Sequence, residues 1–377
     1  MSQTEAPPAP ERAPAPEPPD RSSGRRAVEG IVALLVIIAV LGIVAWAFVW
    51  MRDTEANRAL VALVAVVTGV GGVIIAFLGA DRIVDLLPVG MRESVRPWVF
   101  VGPALLLLGI FLVYPAINTV VTAFQGPTGE EFIGLENFEF VFTDPSMLRS
   151  IRNTIAWIVV VTALAVGVGL IFAVLADRLD RGEATAKSLI FLPMAISFVG
   201  ASVVWGFIYD FQVFGEQRGL LNGILTGLGM DPVSWLSIEP WNNLFLMVIM
   251  VWMQTGFAMV ILSAAIKSVP ADLLEAGRID GASELQIFFR IIIPSIQSSI
   301  VVVTTTMIIN VLKVFDIVFV MTNGGSGTEV IAERMIRWFF RNRDYGKGAA
   351  IAAVLFVAVI PVMVWNVRRF REEEAIR

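Results

Sequence analysis

Long apolar runs dominate the chain and alternate with shorter polar stretches. A helix needs about 20 apolar residues to cross a hydrocarbon core of about 30 Å, because unpaired backbone groups are not tolerated there. Eight stretches meet this requirement, at 27–51, 59–80, 98–124, 154–176, 188–209, 241–266, 291–321 and 348–367. The pattern predicts an all-α polytopic membrane protein with about eight transmembrane helices that contact membrane lipid.

The gaps between these runs differ in charge. Lys and Arg are commoner in the set of gaps that includes both chain termini, and Trp50, Trp98 and Trp241 fall near span ends, as interfacial aromatics do. The positive-inside rule then predicts a multi-pass protein of the cell (inner) membrane with cytoplasmic N- and C-termini.

Segment composition divides the chain into modules. Residues 1–26 are rich in proline, which is typical of a disordered tail. The other predicted modules are two extra N-terminal spans at 27–80, a cytoplasmic interfacial connector at 81–97, the main membrane module at 98–367 and a cytoplasmic tail at 368–377. The two longest outer gaps, 125–153 and 210–240, are acidic, and they form either a docking surface or plain solvated loops.

Composition excludes most catalytic functions. The 377 residues include no Cys and no His, which removes thiol nucleophiles, imidazole bases and Cys or His metal sites. The net charge of -5 argues against nucleic acid as a partner. No Gly-x-x-x-x-Gly-Lys-Ser/Thr phosphate loop occurs, so the chain itself cannot hydrolyse ATP. We therefore expect a protein that is not an enzyme and that binds neither a metal nor a cofactor.

The polar segment at 268–294, between the sixth and seventh spans, has the pattern of helix, turn and helix. Gly281 suits the break because it tolerates a positive φ, and Ser283 with Gln286 forms a capping box that begins the next helix. A short helix that lies on the membrane face and presents Glu275 has a shape to which another protein can bind. The alternative is an ordinary loop whose caps only stabilise two helices.

The spacing within this segment resembles the EAA loop of permease subunits in binding-protein-dependent ABC importers. That family pattern is Glu-Ala-Ala, three residues, Gly, nine residues and Ile-x-Leu-Pro, and Gly277 and Ile293 depart from it here. The resemblance implies that this loop couples the chain to a separate ATPase. The implied coupling residues are Glu275, Ala276, Gly277, Arg278, Asp280, Gly281, Ala282, Ser283 and Pro294.

Other stretches resemble the sugar-importer permeases of the maltose and α-glucoside type. They are Gly134-Leu135-Glu136-Asn137-Phe138, Asn153-Thr154, Asp280-Gly281-Ala282-Ser283 and Thr322-Asn323-Gly324-Gly325. One position departs, since Ser326 stands where that subgroup has Pro. The resemblance covers 98–367 and implies a six-helix type I ABC importer permease core, preceded here by two N-terminal helices. It also implies a path for a di- or oligosaccharide such as an α-glucoside. The implied partners are a second permease subunit, an ATPase dimer that holds ATP and Mg, and an extracytoplasmic sugar-binding protein.

Polar residues inside spans are functional candidates because they are costly in lipid. Permeases of this type hold substrate between the sixth and seventh spans, so the resemblance implies a lining formed by Gln254, Phe257, Asn310, Lys313 and Asp316. Lys313 and Asp316 are three residues apart, so they can also pair on one helical face. Gln254 can instead form an interhelical hydrogen bond.

The same alignment brings four apolar residues to positions where maltose permeases bind sugar. They are Met250, Met253, Val311 and Val314. This departure implies either a different glycoside or a site that the partner permease supplies.

Two functions of other classes are alternatives to the importer. An ion-coupled secondary transporter that uses Lys313 and Asp316 would be expected to show inverted repeats of broken helices, and no such symmetry is visible in the sequence. A membrane anchor without transport predicts few polar residues inside the spans, which the seventh span contradicts.

Overall fold

The computed structural model describes residues 23–376, with side chains over 28–88 and 90–368. Within 23–376 the regular structure is helical, apart from a single antiparallel bridge between Gln125 and Phe132. The prediction of an all-α polytopic protein is confirmed. Most of the tail predicted at 1–26 lies outside the described residues. The chain divides into two compact units, with the boundary between Pro115 and Ala116.

The first unit is formed by long apolar helices. They are α1 (Ser23–Asp53), α2 (Arg58–Asp85) and α3 (Val89–Leu108), which continues through a π-helical turn at Gly109–Val113. Asn57 caps α2 by accepting a hydrogen bond from the Ala59 amide at 2.9 Å. The connector predicted at 81–97 is not a separate element, because most of it belongs to α2 and α3.

The second unit contains the remaining helices. They are α4 (Tyr114–Thr122, which begins at the boundary), α5 (Glu136–Thr143), α6 (Pro145–Asp177), α7 (Glu183–Phe191), α8 (Phe198–Tyr209), α9 (Leu220–Gly227), α10 (Trp241–Lys267), α11 (Ala271–Ile279), α12 (Glu284–Ile287), α13 (Ile293–Ser295), α14 (Gln297–Leu312), α15 (Asp316–Thr322), α16 (Ile331–Ile336) and α17 (Tyr345–Ile376). The tail predicted at 368–377 continues α17 as helix.

In the described residues six helices are long and apolar enough to cross a membrane, and two bent pairs bring the number to eight. The spans predicted at 188–209 and 291–321 are therefore wrong as continuous helices. The first is bent by 101° between Ala195 and Phe198, and the second by 70° between Ser295 and Gln297. Ser197 explains the first bend locally, since its hydroxyl accepts a hydrogen bond from the Gly200 amide at 3.0 Å and begins a new helix.

The core of the second unit lies between α6 and α10. Gly169 of α6 lies directly against α10, where a Cβ atom would stand 2.5 Å from the Ala258 Cβ and 3.0 Å from the Met259 amide nitrogen. Small residues allow such an approach between membrane helices. The tight crossing holds α10 in place, and α10 carries residues of the site described next.

Candidate functional site

A cavity of about 440 Å³ opens where α10 meets the bend between α7 and α8, the end of α14 and the start of α15. Gln254 of α10, Asn310 near the end of α14 and Asp316 at the start of α15 line it. Ile196 and Ser197, at the bend between α7 and α8, form another wall. The bend between α7 and α8 and the break between α14 and α15 thus open toward the same space. Broken helices at a polar cavity are one way in which transporters expose backbone groups to a solute.

The polar side chains of this cavity have unused hydrogen-bonding groups. Gln254 is only 5% exposed, yet within residues 23–376 its amide makes no hydrogen bond. The side chains of Asn310 and Asp316 likewise have no partner in the described chain. The interhelical bond considered for Gln254 is therefore absent. The polar atoms of these side chains are accessible from the cavity and are not engaged by the described protein, so they are suited to hydrogen bonding with a polar solute there.

The bend between α7 and α8 depends on a glycine of α10. A Cβ atom on Gly256 would stand 2.5 Å from the Ile190 carbonyl oxygen and 2.6 Å from the Phe191 Cα. The absent side chain allows the end of α7 to lie on α10, two residues from Gln254. Sequence reasoning missed Gly256 because its neighbours are distant in the chain.

Two of the five predicted lining residues lie elsewhere. The helix breaks between Lys313 and Asp316, with Phe315 at φ -135° and ψ -52°, so the prediction of a shared helical face is wrong. Lys313 instead lines a separate, mostly apolar groove with Ala332 and Leu355. Phe257 packs in the core beside α6 and does not line the cavity.

The four apolar residues that replace sugar-binding positions have a packing role. Met250, Met253, Val311 and Val314 belong to one buried cluster around Trp157. Met253 also lines the cavity. Polar contacts in the cavity are therefore provided by Gln254, Asn310 and Asp316, and not by these positions.

The segment at 268–294 folds as the sequence predicts. Helix α11 ends before Gly281, whose φ is +82°, and Ser283 then begins α12. The capping box is present, because the Ser283 amide donates to Gln286 Oε1 at 2.8 Å and the Ser283 hydroxyl accepts from the Gln286 amide at 3.4 Å. An Arg278–Glu284 ion pair of 2.9 Å spans the turn, and this bond raises the pKa of the Arg278 guanidinium.

The outward surface of this loop is unusually apolar. Ile279 is 85% exposed, and Leu285 and Leu273 are also exposed beside the accessible Glu275 carboxylate. Gly277 is the buried residue of the described helix α11, and a Cβ atom there would stand 2.8 Å from the Ile291 Cδ1. The departure from Ala at this position therefore lets α11 lie closely on the start of the next span.

The motifs Asn153-Thr154 and Thr322-Asn323-Gly324-Gly325 are joined in space. The Asn153 amide donates to the carbonyl oxygens of Gly327 at 2.7 Å and Glu329 at 2.9 Å. The Thr154 hydroxyl accepts from the Ile331 amide at 3.0 Å. The loop after α15 is thereby tied to the N-terminal part of α6.

Two asparagines that sequence reasoning missed hold the same loop to α10. Asn242 donates to the Ser326 carbonyl at 2.6 Å, and Asn243 donates to the Gly327 carbonyl at 3.2 Å. Ser326 has a φ of +49°. Proline is restricted to a φ near -65°, so the backbone of this loop cannot accept the Pro that the maltose subgroup carries there.

Asn137, from the first outer motif, has a comparable structural role. Its buried amide donates to the Ala123 carbonyl at 3.0 Å and to the Gln125 carbonyl at 2.7 Å. It thereby satisfies carbonyl groups just after α4, and it anchors α5 to that segment.

At the other end of the second unit, an ion cluster joins α6, α7 and α10. Lys187 Nζ lies 2.5 Å from Asp177 and 2.6 Å from Glu183. Lys267, the last residue of α10, pairs with the same two carboxylates, and the Ser263 hydroxyl donates to Asp177 at 2.7 Å. The spacing of four residues from Glu183 to Lys187 is a local sequence pattern that indicates an ion pair within a helix. The other partners are far away in sequence, so no local pattern indicates them.

Comparison with known proteins identifies the family to which this chain belongs. Residues 165–368, more than half of the chain, match the family described as "Binding-protein-dependent transport system inner membrane component". The chain belongs to this family, whose members are the permease subunits of ABC importers. It is a multi-pass inner-membrane protein and a transport subunit, not an enzyme.

Particular relatives cover most of the chain. The osmoprotective compounds uptake permease protein GgtC of Synechocystis sp. is 54% identical over 74% of this chain and 100% of its own length. The alpha-glucoside transport system permease protein AglF of Rhizobium meliloti is 50% identical over 75% of this chain and 84% of its own. A bacterial ABC transporter for the acidic polysaccharide alginate shares the fold, with a TM-score of 0.66 at 21% identity over 75% of this chain and 98% of that one.

These relatives also decide between the functions weighed from the sequence. They are ABC importer permeases and not ion-coupled secondary transporters. The separation of Lys313 from Asp316 removes the side-chain pair on which that alternative was based. The prediction of an ABC importer permease is confirmed.

Proposed function

We propose that this chain carries a di- or oligosaccharide, such as an α-glucoside, through the cavity lined by Gln254, Asn310 and Asp316. The observation that carries the proposal is the set of unpartnered hydrogen-bonding groups in that cavity. A saccharide offers many hydroxyl groups, which can donate to carboxylate and amide oxygens and accept from amide N–H groups. The α-glucoside relative at 50% identity supports this choice of substrate class.

The coupling step is assigned to the loop at 268–294. In this proposal the exposed Ile279 and Leu285 seat in a groove of a cytoplasmic ATPase, and Glu275 supplies a charged contact. The capped turn at Gly281 and Ser283 makes the loop stiff enough to transmit a push to the next span. Closure of an ATPase dimer on ATP and Mg would then shift the population from inward-open to outward-open.

The remaining partners follow from this role. A second permease subunit completes the path, and an external binding protein delivers the saccharide. In this proposal both termini, the ion cluster and the loop at 268–294 lie in the cytoplasm, which the distribution of Lys and Arg among the gaps supports. Residues 210–240 and the loop after α15 then face outward.

A reconstituted complex tests the transport function. The chain is purified with its ATPase, second permease and binding protein, placed in vesicles with ATP inside, and assayed for uptake of labelled α-glucosides. We expect Gln254→Leu to lower uptake about tenfold, because hydrogen bonds to the solute are lost while side-chain volume is kept. Thr305→Val is the control, since that hydroxyl bonds only within its own helix, to the Val301 carbonyl.

The coupling role has its own test. Glu275→Ala is compared with Asp272→Ala, an exposed acid one turn earlier on α11. We expect Glu275→Ala to lower both uptake and binding-protein-stimulated ATPase activity more than about tenfold, as loss of a central interface contact does. Equal activities of the two variants would remove Glu275 from the coupling surface.

A further inference from the structure

A second cavity, of about 450 Å³, lies beside the first. Helix α8, the segment before α10 and the end of α15 surround it. Tyr209, Asp210, Ser234 and Trp235 contribute polar and aromatic groups to its wall. The substrate cavity described above does not use any of these residues.

The two cavities follow one another along the same helix faces. On α8, Phe198 and Val199 line the first cavity, and Ser202 and Val203, one turn later, line the second. Gly206 continues the same row. Residues four apart lie on one face of a helix and about 6 Å apart along it. The cavities are therefore successive positions along one groove.

The opposite wall repeats this arrangement. Asp316, at the first position of α15, lines the first cavity, and Val320, one turn later, lines the second. Helices α8 and α15 pack against each other, so they form the two sides of the groove. A solute that leaves one cavity along this groove enters the other.

The second cavity has the chemistry of a saccharide site. The rings of Tyr209 and Trp235 are 6.4 Å apart, and Trp235 is held edge-on against Phe245 at 5.1 Å. Fixed aromatic rings offer apolar area for the C–H face of a sugar at a small entropic cost. One Asp210 oxygen accepts from the Gln212 side-chain amide at 2.7 Å. The other oxygen has no partner in the described part of the chain and remains available to a sugar hydroxyl.

We propose that this second cavity is an outer saccharide station, which holds the sugar between its release by the binding protein and its arrival beside Gln254. The proposal rests on the transport function given above and adds a binding site to it. The bend between α7 and α8 marks the inner station, because Ile196 and Ser197 line the inner cavity and do not line the outer one. Substrate would thus move along α8 in two steps.

A pair of adjacent valines gives a matched test. Val203 and Val204 are similarly exposed on α8, but only Val203 lines the groove. In reconstituted vesicles we expect Val203→Trp to lower saccharide uptake more than about tenfold by filling the groove, and Val204→Trp to stay within about twofold of wild type. Equal uptake by the two variants would overturn the proposal. Failure of Val203→Trp alone to assemble with the second permease would assign this face to a subunit interface and would also overturn it.

A binding measurement addresses the aromatic platform directly. The complex is locked with a non-hydrolysable ATP analogue, and retention of labelled maltose or trehalose is titrated. We expect Trp235→Leu to weaken retention about tenfold, and Trp235→Phe, which keeps a ring, to restore most of it. Unchanged retention in Trp235→Leu would contradict the station. If the wild-type complex takes up no saccharide at all, the transport proposal itself fails, whereas normal wild-type uptake with a silent Val203→Trp defeats the station alone.

Discussion

Gly277 and Gly281 are four residues apart in the segment at 268–294, and a glycine at each position has a different structural reason. Gly281 has a φ of +82°, whereas Gly277 is in helix and only approaches the flexible end of Ile291. We expect Gly277→Ala to be close to neutral, because Ile291 can rotate away and alanine favours helix by about 1 kcal/mol. Gly281→Ala should cost about 1 to 2 kcal/mol, because alanine is strained at that φ.

Thermal unfolding of the purified complex measures both effects, and coupled ATPase activity shows whether the loop keeps its shape. Gly277→Ala should retain stimulation by the binding protein, and Gly281→Ala should lose part of it. If Gly277→Ala is the more harmful change, tight packing and not backbone conformation controls this loop.

Glu333, on α16 outside the spans, is a buried carboxylate whose two oxygens differ in their hydrogen bonding. It is 1% exposed, and one oxygen accepts from Arg337 Nε at 2.7 Å, whereas the other is buried and has no hydrogen bond to the described residues. Burial raises the pKa of Glu333 above its ordinary value of 4.5, and the charge of Arg337 offsets this only in part. Above pH 4.5 the folded state therefore holds this proton more tightly than the unfolded state, and the contribution of Glu333 to stability falls as pH rises through the raised pKa.

Glu333→Gln removes this titration and keeps an oxygen for Arg337. We expect the unfolding temperature of the variant, relative to wild type, to rise between pH 4.5 and neutral pH. The two proteins are compared by thermal unfolding in detergent over that range. A difference that does not change with pH would mean that the pKa of Glu333 is the same in both states.

At the scale of elements, the crossing of α6 and α10 depends on one residue. We expect Gly169→Ala to destabilise the protein by about 2 kcal/mol, because its Cβ would meet the Ala258 Cβ and backbone atoms of α10. Gly167→Ala on the same helix is the control, since a Cβ atom there meets nothing within 4 Å. Thermal unfolding of the two variants should give changes of opposite sign, and equal loss in both would remove the crossing as the cause.

Elements that depend on local sequence patterns could be predicted from the sequence, whereas elements that depend on contacts between distant residues could not. The long apolar runs and the capping box at Ser283 are local signals, and the structure contains both. The bends near Ser197 and Ile296 lie inside apolar runs, where hydropathy does not change at the break. If the seventh span were one continuous helix, its periodicity would bring Lys313 and Asp316 to one face. The helix breaks between them, so the prediction of a shared face is wrong.

The candidate site was predictable to a similar degree. Gln254, Asn310 and Asp316 stand out as polar residues inside apolar runs, and they do share a cavity. Gly256 and Asn242 have no such signal, because their partners lie about 65 to 85 residues away and only the folded chain brings them together. The second cavity also has no local signal in the sequence, because α8, the segment before α10 and the end of α15 come together only in the folded chain.

At the scale of the whole molecule, the ion cluster of Asp177, Glu183, Lys187 and Lys267 connects three helices beside the coupling loop. We expect Lys187→Met to cost about 3 kcal/mol, because it leaves a mostly buried Asp177 with only Lys267 at 3.7 Å as a charged partner. Adding Asp177→Asn should recover part of that loss, since the uncompensated charge is then removed. Thermal unfolding of the single and double variants measures the coupling, and strictly additive losses would argue against a direct interaction.

Helix α10 is fastened at both ends, by Asn242 and Asn243 to the loop after α15 and by Lys267 to the ion cluster. Its 27 residues span about 40 Å, and α6 braces it along the way. We expect a helix held in this manner to move together with α6, so that in the proposed coupling a push on the segment at 268–294 tilts both helices as one body. Over a length of about 40 Å, a tilt of about 6° displaces the opposite end of α10 by about 4 Å, so a small rotation driven by the proposed ATPase would produce a movement comparable to the width of a sugar ring.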